Sequence, residues 1–291
     1  MSRMKLGLLY SNTMGAVQPD VATALAEHAE AAGVDTLWTV EHVVVPGNYE
    51  STYPYNRSGK MPGGEDGAFP DPVVWLAFVA ARTSRIRLGT AMMILPQRNP
   101  VITAKALATL DVLSGGRMVL GAGIGWLKEE FDAIGIPFAE RGSRTDESIE
   151  AMRALWRDDH PSFHGRHYNF DDARMWPKPV NRAIPVIVGG HSEPAARRAG
   201  RLGDGFFPAA REPEVNAAMI ELMRQTATDA GRDPSAIRVI LGGWPDAEKI
   251  EWAASCGADQ LAVPVLAPDI DTARDSIDSA MAALRANGGE A

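Results

Sequence analysis

Short apolar runs alternate with longer amphipathic ones along this chain. The first apolar run is Lys5-Leu-Gly-Leu-Leu-Tyr10, and a helical stretch over 19–32 follows it, with Val21, Leu25, Ala29 and Ala32 on one face. Gly33 fits a left-handed stop at the end of that helix. The same join recurs: Ala32-Gly33-Val34-Asp35, Leu202-Gly203-Asp204-Gly205 and Cys256-Gly257-Ala258-Asp259 each lead into an apolar strand. A helix ended by Gly, then Asp, then a strand is what parallel βα repeats produce. The pattern predicts strands at 5–10, 36–40, 86–91, 118–122, 185–189, 205–207, 237–241 and 260–264. Helices are expected between them, among others at 101–113, 144–156, 193–202, 213–230, 247–256 and 270–286, with a further helix start at Asp71-Pro72. Eight such units predict an α/β fold, a (β/α)8 TIM barrel with residues 1–291 as a single domain. An open doubly wound sheet is the alternative, and it ordinarily uses fewer strands for this length.

Two stretches break the rhythm, 43–70 after the second strand and 158–180 after the fourth helix. Loops this long are usually functional lids or disordered. The first falls at the C-terminal face, where barrel enzymes place their sites. Glu41 and His42 end strand two just before it. A histidine titrates near neutral pH and can move a proton, with Glu41 to orient it; taken alone, His42 also fits a strand-end hydrogen-bonding residue. Strand four runs into Gly121-Ala-Gly123-Ile-Gly125-Trp126. Alternating glycines let a flat ligand approach the backbone, or they mark a bulge needed for barrel closure. A dinucleotide fingerprint does not fit, because the third glycine is missing. Strand five ends in Gly189-Gly190-His191-Ser192, followed by a helix whose first turn holds Pro194, so the expected cap is Ser192 and the turn favours an anion. Arg197, Arg198 and Arg201 lie in that helix, but spacing alone does not aim them.

Composition narrows the partners. The net charge is −8 and no basic run stands out, so nucleic acid is not an expected partner. No segment has the length of a membrane span, and Leu6–Tyr10 is too short for an export signal, so a cytoplasmic setting is expected. Cys256 is the lone cysteine and is read as a buried, inert thiol. His160, His164 and His167 cluster without metal-like spacing, so no metal is expected. Trp38, Trp75, Trp156 and Trp252 fall in apolar stripes and are expected in the core, and His28 on the surface. Neither a nucleophile elbow nor a P-loop is present.

Taken together, several pieces in order resemble a known family. They are Trp38-Thr-Val-Glu41-His42, Leu88-Gly-Thr-Ala-Met-Met-Ile-Leu-Pro-Gln-Arg-Asn-Pro100, Ala108-Thr-Leu-Asp-Val-Leu-Ser-Gly-Gly-Arg117, Gly121–Trp126, Glu129-Glu-Phe131, Gly135–Arg141, Val188–Ser192 and Leu202–Phe206. The chain over about 4–210 resembles the luciferase-like monooxygenase superfamily, and within it the branch that depends on coenzyme F420. That resemblance implies a flavin-type ring at the C-terminal mouth and a small-molecule substrate beneath the 43–70 lid. It implies His42 as the active-site histidine, and Thr90, Ala91 and Met92 as the bulge supporting the ring, often through a non-proline cis peptide. Gly123 and Gly125 would lie near the ring, and Gly189, Gly190, His191 and Ser192 would hold the cofactor phosphate. The implied cofactor is F420, a deazaflavin, with FMN as the alternative. In the FMN case a flavin reductase would be a partner, and members are commonly homodimers. An arginine-rich, lysine-poor composition typical of GC-rich genomes agrees with F420. One departure follows from the same resemblance. Members that oxidise glucose 6-phosphate carry a catalytic glutamate where Trp126 stands here, which argues against that substrate.

Overall fold

In the computed structural model, which describes residues 4–289, the predicted alternation closes on itself. The parallel strands are β1 (Lys5–Leu9), β2 (Thr36–Thr39), β3 (Arg87–Thr90), β4 (Met118–Gly123), β5 (Val186–Gly190), β6 (Gly205–Pro208), β7 (Arg238–Gly242) and β8 (Gln260–Pro264). They pair in chain order around the ring, and β1 pairs with β8 to shut the barrel. The eight expected strands therefore form, each within one residue of its expected ends. The helices between and after them are α1 (Pro19–Ala32), α2 (Pro72–Ala80), α3 (Pro100–Ser114), α4 (Arg141–Arg157), α5 (Glu193–Leu202), α6 (Pro213–Asp229), α7 (Ala247–Ser255) and α8 (Ile270–Ala286). This is the (β/α)8 TIM barrel. Residues 1–3 and 290–291 of the expected domain lie outside the described residues.

Local chemistry starts and stops the helices as the sequence suggests. The Asp71 and Asn99 side chains accept N–H groups from the first turns of α2 and α3. Gly33 takes a φ of 94° after α1, and its N–H bonds back to Ala29 and Glu30 carbonyls.

The aspartates of the Gly–Asp joins have a clear purpose. The Asp204 carboxylate accepts the N–H of Val186 at 2.9 Å, and Asp259 that of Val239 at 2.8 Å. Each aspartate thus ties the start of its own strand to the start of the strand before it. Asp35 does related work through Lys5 at 3.0 Å and Gln260 at 2.7 Å.

The barrel interior is filled rather than hollow. Trp38, Val119, Ile187, Phe207, Ile240 and Ala262 pack there with Leu9, Ala91 and Met92 against them. The Trp38 indole N–H donates to Gln260 at 2.8 Å, which satisfies its one polar atom inside the core. Outside, the helices cover the strands with a larger apolar layer that includes Trp75 and Trp156. Two expectations shift. Trp252 is only half-buried, with Lys249 Nζ 4.1 Å above its ring. His28 is half-buried and pairs with Asp278 at 2.7 Å. Cys256 is buried, as expected. Among the described residues, no helix is long and apolar enough to cross a membrane.

Candidate functional site

At the C-terminal mouth, β2 runs into Val40, whose N–H and C=O are both gripped by the buried Asn12 at 2.9 Å. Asn12 also donates to the Pro70 carbonyl at 3.3 Å, so the same amide holds the far end of the 43–70 insertion. Beyond Val40 the neighbours Glu41 and His42 serve different partners. Glu41 is buried and accepts the Ile94 N–H at 2.6 Å and Arg98 Nε at 2.8 Å. Arg98 reaches on to Asp71 at 2.7 Å. Burial pushes the Glu41 carboxyl above the usual carboxylate range, against the pull of Arg98. Arg98 is itself held above its ordinary value because Glu41 and Asp71 together outweigh its own burial.

This corrects the expected role of Glu41 as the group that orients His42. That work falls to Glu130, whose Oε2 lies 3.1 Å from His42 Nδ1. Glu130 sits on a short helix, Lys128–Ala133, that follows the glycines of β4. The physical reason is that Ile94 and Arg98 already occupy the Glu41 carboxylate. The sequence did contain Glu129-Glu130-Phe131, but nothing in its spacing revealed that helix packed against the end of β2.

Around His42 the mouth is aromatic. Phe69 and Trp126 meet its ring edge-on at centroid distances of 5.3 and 5.8 Å. Trp126 in turn touches Tyr49 at 5.6 Å and Tyr53 at 5.1 Å. Burial, with the Tyr10 hydroxyl beside it, pushes the Tyr53 phenol well above its ordinary range. Tyr10 itself takes a φ of 61° just past β1, an uncommon conformation for a tyrosine.

The insertion is pinned to the short helix. Glu129 accepts the N–H groups of Glu50 at 2.8 Å and Ser51 at 3.0 Å, and Ser51 Oγ accepts the N–H of Lys128 at 3.1 Å. The lid and the loop after β4 therefore form one packed unit.

The floor is built around Met92. The Ala91–Met92 peptide is cis. Thr90 is buried, its hydroxyl donating to the Gly121 carbonyl and accepting the Gly121 N–H, both at 2.9 Å. A Cβ on Gly123 would lie 2.8 Å from Met92 Cβ, and one on Gly189 2.6 Å from Met92 Cγ. The glycines at these strand ends thus make room first for Met92, which stands where β4 and β5 would otherwise close the mouth. Gly125 has a φ of 79° and turns the chain toward the short helix.

At the end of β5, Gly190 has a φ of 149°, and a Cβ there would lie 2.6 Å from Ala195 Cβ. His191 and Ser192 follow, and Ser192 is the N-cap of α5, its hydroxyl making no capping bond. First-turn N–H groups of a helix have no partner within the helix, so this turn suits an anion. The α5 arginines do not serve it. Arg198 and Arg201 both bind Asp146 on α4, and Arg197 lies 3.4 Å from Glu193. The Tyr55 ring contacts His191 edge-on at 5.3 Å, bringing the lid over this turn. Among the described residues no cluster suited to a metal ion occurs. His160 and His164 instead pair with Asp172 and Asp171 beside a small hairpin far along the chain.

Comparison with known proteins places this geometry. The profile of the luciferase-like monooxygenases matches residues 4–245. An uncharacterized protein of Mycobacterium tuberculosis is 35% identical over 217 residues, covering 74% of this chain and 75% of the relative. An F420-dependent glucose-6-phosphate dehydrogenase of Kineococcus radiotolerans is 33% identical over 208 residues, covering 70% of this chain and 56% of that enzyme. Among solved structures, an F420-dependent secondary alcohol dehydrogenase in complex with an F420–acetone adduct superposes with a TM-score of 0.79 at 20% identity, covering 98% of this chain and 99% of that one.

Proposed function

Because this chain belongs to the luciferase-like monooxygenase family and is an oxidoreductase, we propose that it is a coenzyme F420-dependent enzyme acting on a small organic molecule at the mouth of its barrel. One observation carries the reading. His42, largely covered at the end of β2 and fixed by Glu130, lies beneath an aromatic lid and beside Met92, for which the strand-end glycines make room. F420-dependent relatives support the choice of cofactor.

The residues present fit such a group. The Gly190–Ser192 turn offers backbone N–H groups and an uncapped hydroxyl for a phosphate. Thr90, Ala91 and Met92 would support a flat ring, with Gly123 letting Met92 seat against β4 and Gly125 turning the chain beside it. A bound deazaflavin supplies two-electron hydride chemistry, which is the cofactor's own. The protein's part is to orient and to move a proton. With Nδ1 engaged by Glu130, His42 gives or takes the proton at Nε2. Tyr49, Tyr53 and Trp126 exclude water and hold an apolar part of the substrate. Trp126 makes this part of the mouth aromatic, so the proposal does not extend to a sugar phosphate.

The family's monooxygenases favour a second reading, an FMN-dependent enzyme supplied with reduced flavin by a reductase. The two readings use the same turn for phosphate. Fluorescence titration of the cofactor-free protein with F420 and with FMN separates them. Micromolar F420 binding with much weaker FMN binding is expected, and the reverse preference overturns the F420 reading.

We further propose a homodimer. Val74 on α2 and Ile102 and Leu113 on α3 are apolar and about 70% exposed or more, on two helices that pack together, and apolar surface of this kind suits an interface. Light scattering on a sizing column is expected to give twice the mass of the chain, and a monomer sinks this part.

A further inference from the structure

Glu130 is fully buried, and its two oxygens do two different things. Oε2 lies 3.1 Å from His42 Nδ1. Oε1 accepts the N–H of Val43 at 2.6 Å and, at 3.4 Å, that of Val44, the first residues of the lid. We infer that Glu130 is a positioning residue that fixes His42 as the tautomer protonated on Nδ1, and that this fixation depends on the lid's first residues being seated on the same carboxylate. The functional half rests on the reading of His42 as the proton-transfer group; the tautomer half stands on geometry alone.

The argument is one of donors and acceptors. A carboxylate only accepts, so the proton in the His42–Glu130 bond belongs to Nδ1, and in the neutral ring the other nitrogen is left as an acceptor. A fully buried carboxylate cannot be left half-paired without cost. If Val43 and Val44 leave Oε1, the group loses the bonds that hold its plane, and its grip on Nδ1 weakens with them. Phe69 and Trp126 flank the imidazole edge-on and restrict its rotation, so the tautomer, rather than a ring flip, is what Glu130 sets. Glu41 cannot substitute, since Ile94 and Arg98 occupy it. A lid that opens therefore also releases the tautomer, which confines proton transfer to the closed site.

Glu130→Gln inverts one bond and keeps the other. The amide oxygen still accepts from Val43, because the opposite orientation would set NH2 against N–H. The NH2 then faces Nδ1 and demands a bare nitrogen there. Long-range 15N–1H NMR of the cofactor-free protein is expected to show His42 protonated on Nδ1 in the native chain and on Nε2 in E130Q. Hydrogen exchange at Val43 and Val44 is expected to stay within about 3-fold of native in E130Q and to rise at least about 10-fold in E130A. Native His42 protonated on Nε2 overturns the inference, and this measurement needs no variant to fold. An unchanged tautomer in a folded E130Q overturns it too. Exchange at Val43 and Val44 that ignores E130A removes the link to the lid. Unchanged turnover in His42→Ala would instead defeat the proton-transfer reading, and with it the functional half alone.

Discussion

The two rims of this barrel use the same kinds of charged side chain for different ends. At the entry rim, Asp204 and Asp259 bind the N–H that begins a neighbouring strand. Arg117, whose guanidinium is pushed below its ordinary value by burial, donates to the carbonyls of Ala80, Thr83, Ile86 and Ser114. These ties fix the register of strands and the helices feeding them. At the mouth, Glu41, Glu129 and Glu130 bind irregular backbone instead, at Ile94, at Glu50 and Ser51, and at Val43. What they fix is the position of a histidine, a bulge and a lid. A carboxylate accepting N–H groups is thus a register pin at one end of the strands and a site-positioning device at the other. The entry rim serves register and the mouth serves the proposed site, as is usual along a barrel axis.

The largest effect is expected at the mouth. His42→Ala is expected to lower kcat by about 10²- to 10⁴-fold, the usual worth of a positioned acid–base group, while the dissociation constant for F420 changes little. Steady-state deazaflavin absorbance and the fluorescence titration together check this. Loss of cofactor affinity with unchanged turnover would make His42 a binding group and blur the contrast between positioning and pinning.

Next comes the entry rim. Asp259→Ala removes the acceptor of the Val239 N–H, an unpaired buried donor that costs about 1–3 kcal/mol. Denaturant unfolding is expected to show that loss, with kcat unchanged in the folded enzyme. A variant of normal stability and impaired turnover would break the comparison outright. Glu41→Gln sharpens it from the other side. Its charge neutralises Arg98, but Arg98 keeps Asp71, so its loss is expected to lower stability by about 1–3 kcal/mol and kcat by only a few-fold. A fall in kcat matching that of His42→Ala would return Glu41 to the chemistry.

The entry rim was far more legible in the sequence than the mouth. The Gly–Asp joins are local, and the aspartate needs only the adjacent strand start to act on, so strands could be placed within a residue. His42, the glycines of β4 and the Gly190–Ser192 turn also declared themselves, because each lies at a strand end and local chemistry demands it. Glu130 did not. Its partners, Val43 and His42, are 87 and 88 positions away, and only the closed barrel brings them together. Glu41 was misassigned for the complementary reason. Adjacency in sequence suggested a pair with His42, whereas past the end of β2 the two side chains meet different neighbours, Arg98 for Glu41 and Glu130 for His42. The α5 arginines illustrate the same limit, since Asp146 on α4 claims two of them. Met92 as occupant of the glycine space was equally hidden, because periodicity says where a strand ends but not what fills the room beyond it.

The smallest effect, and the finest test of the two rims, is their response to acid. Glu30 accepts the N–H groups of Ser84, Arg85 and Ile86 where the chain enters β3. Glu129 accepts those of Glu50 and Ser51 in the lid. Burial pushes both carboxyls up, but these hydrogen bonds prevail and hold each down to about 2 from the usual 4.5. A carboxyl lowered by folding contributes stability that is present above its unfolded value and is lost as pH falls through its folded value. Both contributions are therefore intact at pH 6 and fade between about 4.5 and about 2. The rims differ in what fades with them. Protonating Glu30 loosens the seam between α1 and β3, so exchange is expected to rise across the strands of that seam. Protonating Glu129 frees the lid alone, so exchange rises at residues 49–51 while the barrel strands stay protected. Glu30→Gln and Glu129→Gln at pH 6 are expected to reproduce the two patterns separately. If both variants loosen only their own loops, Glu30 is a local cap, and the entry rim owes its firmness to the aspartates and Arg117 instead.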